Sequence, residues 1–162
     1  MKITNTLVLG IGNTLLTDEG VGVHVINRLA RDYPNMPQVT FLDGGTLSFT
    51  LAGEVASHNR LIVVDAVRTG SPPGSVVCYQ GTEMERYLRG SRKSVHEVGL
   101  ADLLDMTRLT EQYPGRTALV GIEPFEIGWG EQLSPVVAQA LPSAAAGVMA
   151  LIDEWDRGSD PA

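Results

Sequence analysis

Cysteine is nearly absent from this 162-residue chain. Cys78 stands alone, so no intrachain disulfide and no Cys-x-x-Cys metal or redox site can form. Its expected role is that of a small apolar residue within a strand. Basic residues are also scarce: twelve Lys and Arg against nineteen Asp and Glu leave a formal net charge of −7. That is the wrong sign for a surface that tracks phosphates, so no nucleic acid partner is expected. Uninterrupted apolar runs are short, as in residues 61–64, against the roughly 20 residues of a spanning helix, and no membrane partner is expected. The opening Met1-Lys2-Ile3-Thr4-Asn5 lacks the layout of a signal peptide. A cytoplasmic location is the expectation.

What is present suits one globular domain. Hydrophobic residues make up 43% and charged residues 19%, and a chain of this length can bury most of its apolar surface without staples. The domain is expected over residues 1–156, with a tail at 157–162.

Apolar patterning sets the element order. Thr6 to Gly10 is a short continuous run, as in a strand covered on both faces. Val21, Val25, Leu29 and Ala30 recur at helical spacing between Gly20 and Tyr33, and Pro34 stops that helix. A second strand covers Val39 to Leu42, a helix about Ser48 to Ser57, and a third strand Leu61 to Val64. Ser71-Pro72-Pro73-Gly74 is a turn, followed by a fourth strand from Ser75 to Tyr79. The connection is too short for a parallel crossover, which predicts an antiparallel pairing of strands three and four. Ser94 to Glu97 has the capping-box pattern and opens a helix running to about Tyr113. Thr117 to Ile122 is strand five. Ser134-Pro135 starts a final helix to Trp155, with Pro142 as a kink or break. The alternation predicts an α/β three-layer sandwich: a five-stranded, mostly parallel twisted sheet with one antiparallel strand and helices on both faces.

In open α/β sheets, ligands sit beyond the carboxyl ends of the strands. This chain places Asp18 and Glu19 after strand one, Asp43 after strand two, Asp65 at the end of strand three and His96 at the start of a later helix. An aspartate at one strand end is ordinary turn chemistry. Acids at three ends, joined by a histidine, suggest a held cation, and a divalent transition metal fits a mixed oxygen and nitrogen donor set. Simpler roles stand beside this one. Asp18 and Glu19 could be helix-start acids, Asp43 could shape the Gly44-Gly45 turn, and His96 could be an ordinary helix-start residue. His24 and His58 read as structural.

Sharper motifs fail. His96-Glu97 begins like a His-Glu-x-x-His zinc site, but Leu100 stands where the second histidine belongs. Gly10-Ile11-Gly12 starts like a dinucleotide fingerprint whose third glycine is replaced by Leu15. There is no Gly-x-Ser-x-Gly elbow and no phosphate loop.

Taken together, Gly10-Ile11-Gly12-Asn13 with Asp18-Glu19-Gly20-Val21-Gly22, Asp43-Gly44-Gly45-Thr46, Asp65-Ala66, Ser94-Val95-His96 with Gly99-Leu100, Gly121-Ile122-Glu123-Pro124 and Leu133-Ser134-Pro135 resemble the nickel–iron hydrogenase maturation endopeptidases. The likeness covers nearly the whole chain in the right order. Glu123 departs from the glutamine that often stands there. The resemblance implies metal ligands at Glu19, Asp65 and His96, and a role in cleavage or substrate contact for Asp43. These four make up the implied catalytic set of an aspartic-type or metal-dependent endopeptidase. Its implied partner is the precursor of the hydrogenase large subunit, from which a C-terminal extension is removed after nickel insertion. The implied cofactor is nickel, resident or brought by the substrate, with zinc or cadmium able to take the same site. A monomer is expected. Two other readings stay open at this point: a metal-dependent peptidase or amidase with another substrate, and a non-catalytic metal-binding chaperone.

Overall fold

The computed structural model describes residues 4–46, 49–90 and 95–158, without the side chains of Val95, His96 and Val98. Five strands form one sheet in the order β2-β1-β3-β5-β4. They are β1 (Thr6–Ile11), β2 (Val39–Gly45), β3 (Arg60–Ala66), β4 (Val76–Gln80) and β5 (Arg116–Ile122). The first three and β5 are parallel, and β4 runs antiparallel along β5. The direction expected for β4 is therefore found, but not its expected neighbour. β5 lies between β3 and β4, because the central parallel strand buries more apolar surface there than the half-exposed β4 would. Every residue from Thr117 to Ile122 is buried, whereas β4 has none.

Successive strand residues feed opposite faces. Val8, Ile62, Val64, Val120 and Ile122 pack with α1 (Val21–Asp32) and α6 (Leu141–Arg157). Leu7, Leu9, Leu61, Val63 and Leu119 pack on the other side. There they meet α2 (Ala52–Ala56), α3 (Thr82–Leu88) and α4 (Val95–Leu109). This is the three-layer arrangement predicted from the alternation of elements.

Several boundaries differ from expectation. The segment near Ser48–Ser57 is a 3-10 turn at Phe49–Leu51 and then the short α2. Ser48 and the capping residue Ser94 lie outside the described residues. α4 ends at Leu109 rather than near Tyr113. The last helix is broken: α5 (Pro135–Ala138) stops before Pro142, which sits in the first turn of α6, where its missing N–H costs nothing. α6 continues to Arg157, one residue into the expected tail. The stretch Pro135–Arg157 is long and apolar enough to cross a membrane by length and composition. Its Ala144, Val148, Leu151, Ile152 and Trp155 are nevertheless buried in the core cluster. Cys78 lies in β4 as expected, with an exposed side chain.

The first helix docks unusually close to the sheet. A Cβ on Gly22 would stand 2.1 Å from the Val64 carbonyl oxygen and 2.5 Å from that of Ile11. Backbone therefore touches backbone where β1 and β3 end, and this draws the β1–α1 connection over the carboxyl edge. Gly22→Ala is expected to cost about 2–3 kcal/mol, the usual penalty for overpacking a close contact, read as a lower urea midpoint at unchanged slope.

Candidate functional site

The carboxyl edge of the parallel strands carries Asp43 on β2 and Asp65 on β3, and the turn after β1 carries Asp18 and Glu19. Gly10 lies opposite Asp43 on one side and Val64 on the other, so Asp65 is one residue further along that edge. Between β1 and α1 the chain makes a 3-10 turn, Thr17–Gly20, which carries Asp18 and Glu19. Gly12 makes this turn possible. It has φ +145°, and a Cβ there would stand 2.1 Å from the Glu19 carbonyl oxygen.

Asp65 is the most constrained of these acids. It is 4% exposed at the end of an apolar strand. Burial holds its carboxyl well above the usual carboxylate range. The Ala66 N–H, 2.8 Å from its Oδ1, opposes that shift, and the negative charges of Glu97 and Glu19 add to it. Glu19 and Asp65 are thus near enough for their charges to interact. Glu97 joins them, a residue assigned only to helix capping from the sequence. It is 6% exposed on the first turn of α4. The Tyr87 hydroxyl donates to its Oε1 at 2.6 Å. Burial, and next the bond to Glu97, push the Tyr87 phenol upward. His96 precedes Glu97 on α4, and its imidazole is outside the described side chains. Among the described residues, no three His, Cys, Asp or Glu side chains are spaced to hold a metal by themselves.

Asp43 stands apart. It is exposed on β2, across β1 from Asp65, roughly two strand spacings or about 10 Å away. Its Oδ1 accepts the Gly45 N–H at 2.8 Å, so Asp43 does shape the Gly44-Gly45 turn, with φ +54° at Gly45.

Asp18 and Glu19 have separate fates. Asp18 is completely buried and turned into the protein. Its Oδ2 accepts from Phe125 N at 2.9 Å, Glu126 N at 2.8 Å and Ser134 Oγ at 2.7 Å, and its Oδ1 from Ser134 N at 2.7 Å. Burial alone would raise its carboxyl, but these bonds together bring it below the usual range. Thr17 adds to the same clamp. Its Oγ1 donates to the Glu126 carbonyl at 2.7 Å and accepts from Gly128 N at 3.1 Å. It does so from φ +47°, a conformation costly for a β-branched residue. Asp18 is therefore a structural anchor between the first turn and the loop after β5, while Glu19 remains with Asp65.

Glu123 was given no role from the sequence. It is 7% exposed, and its carboxylate accepts from Thr69 N at 2.8 Å, Thr69 Oγ1 at 3.1 Å and Gly70 N at 3.3 Å. This ties down the loop between β3 and β4. No local pattern signals such a contact, because its partners lie some 54 residues away. His58, expected to be structural, has its Nδ1 2.6 Å from the Glu54 carbonyl oxygen at the end of α2. His24 lies on α1 with a buried Nε2, and burial lowers its pKa.

Comparison with known proteins agrees across sequence and structure. The family model described as hydrogenase maturation protease matches residues 23–151. The hydrogenase 2 maturation protease of Escherichia coli (strain K12) is 36% identical over 149 residues, which are 91% of this chain and 90% of that protein. The hydrogenase expression/formation protein HupD of Rhizobium leguminosarum bv. viciae is 34% identical over 92% of this chain and 74% of its own length. Among solved structures, the hydrogenase maturating endopeptidase HybD from E. coli superposes with a TM-score of 0.87 at 34% identity, covering 93% of each chain. The [NiFe] hydrogenase maturation protease HybD from Thermococcus kodakarensis gives 0.78 at 29% identity, over 91% of this chain and 99% of that one.

Proposed function

The chain belongs to the hydrogenase maturation protease family, and from that premise we propose that it is the endopeptidase that removes the C-terminal extension of a nickel-loaded hydrogenase large-subunit precursor. The observation that carries the metal-directed part of this reading is the Asp65 environment. A carboxyl buried at a strand end, with Glu19 and Glu97 raising it further, is a poor arrangement for the protein alone and a good one for a cation. Oxygen donors from Glu19 and Asp65 with the His96 imidazole suit nickel, and also zinc or cadmium.

In this reading nickel arrives as part of the precursor, and Glu19, Asp65 and His96 hold the protease against it. Bound nickel supplies Lewis acidity toward the scissile carbonyl and toward water. The remaining work is done by the chain. Asp65 is walled off from solvent, and an approaching cation would favour its charged form against the burial that disfavours it. Tyr87 fixes the Glu97 carboxylate on α4 beside His96. Asp43, at the rim of the edge, orients water or the substrate backbone as a hydrogen-bond acceptor. We read the protein as a cytoplasmic monomer that acts on a protein substrate. The packing of the apolar α6 face into the core argues against its use as a membrane span.

Intact mass of the precursor tests the reading. Incubation with this protein is expected to remove a C-terminal peptide from nickel-loaded precursor and leave nickel-free precursor whole. His96→Ala and Glu19→Ala are expected to leave both whole. An uncleaved, demonstrably loaded precursor from the same organism would overturn the reading.

A further inference from the structure

The loop after β5 presents large apolar side chains to solvent. Phe125 is 63% exposed, Ile127 43% and Trp129 87%, and Leu15, in the connection after β1, is 50%. Exposed single apolar residues are ordinary, but adjacent bulky ones usually mark a surface that another molecule covers. These are neighbours by backbone bonding. Thr17 N donates to Gly130 O at 2.7 Å and Gly130 N to Leu15 O at 2.9 Å, while Asp18 takes the N–H groups of Phe125 and Glu126.

The same bonds make the loop rigid. Side chains on a pre-ordered backbone lose little entropy when a partner covers them, so such a loop is built for contact. It also adjoins the catalytic edge directly, because Glu19 follows the anchoring Asp18. Glu126 and Glu131 are exposed on the same loop, so the apolar patch has an acidic margin.

Resting on the proposed function, we propose that Leu15, Phe125, Ile127 and Trp129 form the docking surface for the precursor. The matching surface is an apolar patch with neutral or basic surroundings, beside the segment to be cut. Continuity with the edge where cleavage takes place selects the precursor as occupant over a second copy of this chain. Trp129 and Phe125 are the anchors, since buried aromatics dominate the energetics of such contacts.

The test measures processing rate against concentration of nickel-loaded precursor for the parent, Phe125→Ala/Trp129→Ala and Leu109→Ala. Leu109 is 86% exposed at the far end of α4 and serves as an equally apolar control. The double variant is expected to raise the half-saturating precursor concentration roughly tenfold or more, with the loss appearing there rather than in the rate at saturation. Leu109→Ala is expected to match the parent. A parent that cleaves and a double variant with unchanged kcat/KM would overturn the docking surface while leaving the protease reading intact. A parent that fails to cleave would overturn the protease reading itself. Sedimentation showing a parent dimer that the double variant dissolves would assign the patch to a second copy and overturn the proposal.

Discussion

Asp65→Asn is expected to abolish processing of the precursor and to leave the metal-free protein at least as stable as the parent. The two effects share one cause. Burial holds the Asp65 carboxyl above its ordinary range, and the charges of Glu97 and Glu19 work in the same direction. An amide of the same shape removes that conflict, so a gain on the order of 1 kcal/mol is expected in urea unfolding without metal, as when a group kept for function is neutralised. The amide also removes an anionic donor, and processing should fall by at least about a hundredfold. A raised folded-state pKa means that the native protein binds the extra proton. Its contribution to stability is therefore present at low pH and is lost as pH rises from the unfolded value, 3.8, through the folded one. The parent's stability should decline across that window, and Asp65→Asn should flatten the decline. Retention of processing within tenfold of the parent would end the ligand role for Asp65, and a clear loss of stability would end the account of its environment.

Asp18→Asn is expected to destabilise the protein by about 3–4 kcal/mol, since buried donors lose a charged acceptor. Every atom that reaches Asp18 is a donor: three backbone N–H groups and the Ser134 hydroxyl. Asparagine must aim its own N–H₂ at one of them, whichever way the amide is turned. For a domain with a typical total of about 5–15 kcal/mol this is a large fraction. The pH behaviour is the reverse of that at Asp65. A lowered folded-state pKa gives stability that is fully present above the unfolded value and is lost as pH falls through the folded value. Replacing Asp18 should therefore remove part of the acid-side loss below about pH 4. Chemical denaturation at neutral and acid pH checks both statements, and an unchanged midpoint would show that the clamp carries little energy.

These two aspartates also show how far the sequence could be read. Asp65 was legible because it ends a run of buried aliphatics, where a lone carboxylate demands an explanation. Asp18 and Glu19 looked equivalent, as two acids before a helix. What separates them is a partner at Ser134, 116 residues away, and no local pattern encodes it. The parallel strands were legible from apolar runs alone, whereas strand order was not, because neither β4 nor β5 carries a signal naming its neighbours. α3 was missed for a simpler reason. It is two turns long, with only Met84 and Leu88 buried, which is too short to show a helical period. Glu97 fitted a capping pattern so well that its burial beside Tyr87 went unread. Asp43 shows the converse, since its turn-shaping bond to Gly45 was one of the roles weighed for it.

The position of β5 has a consequence for synthesis. A ribosome releases β1, β2 and β3 first, and these pair through β1. β4 emerges next with nothing to bind, because its partner is a strand some 40 residues further on. Until residues 116–122 appear, the edges of β3 and β4 stay open, and until Ser134 appears the Asp18 carboxylate lacks half of its acceptor contacts. The nascent chain therefore cannot complete the sheet and its carboxyl edge until most of it has left the tunnel. Those unfinished edges mark the interval in which aggregation competes with folding.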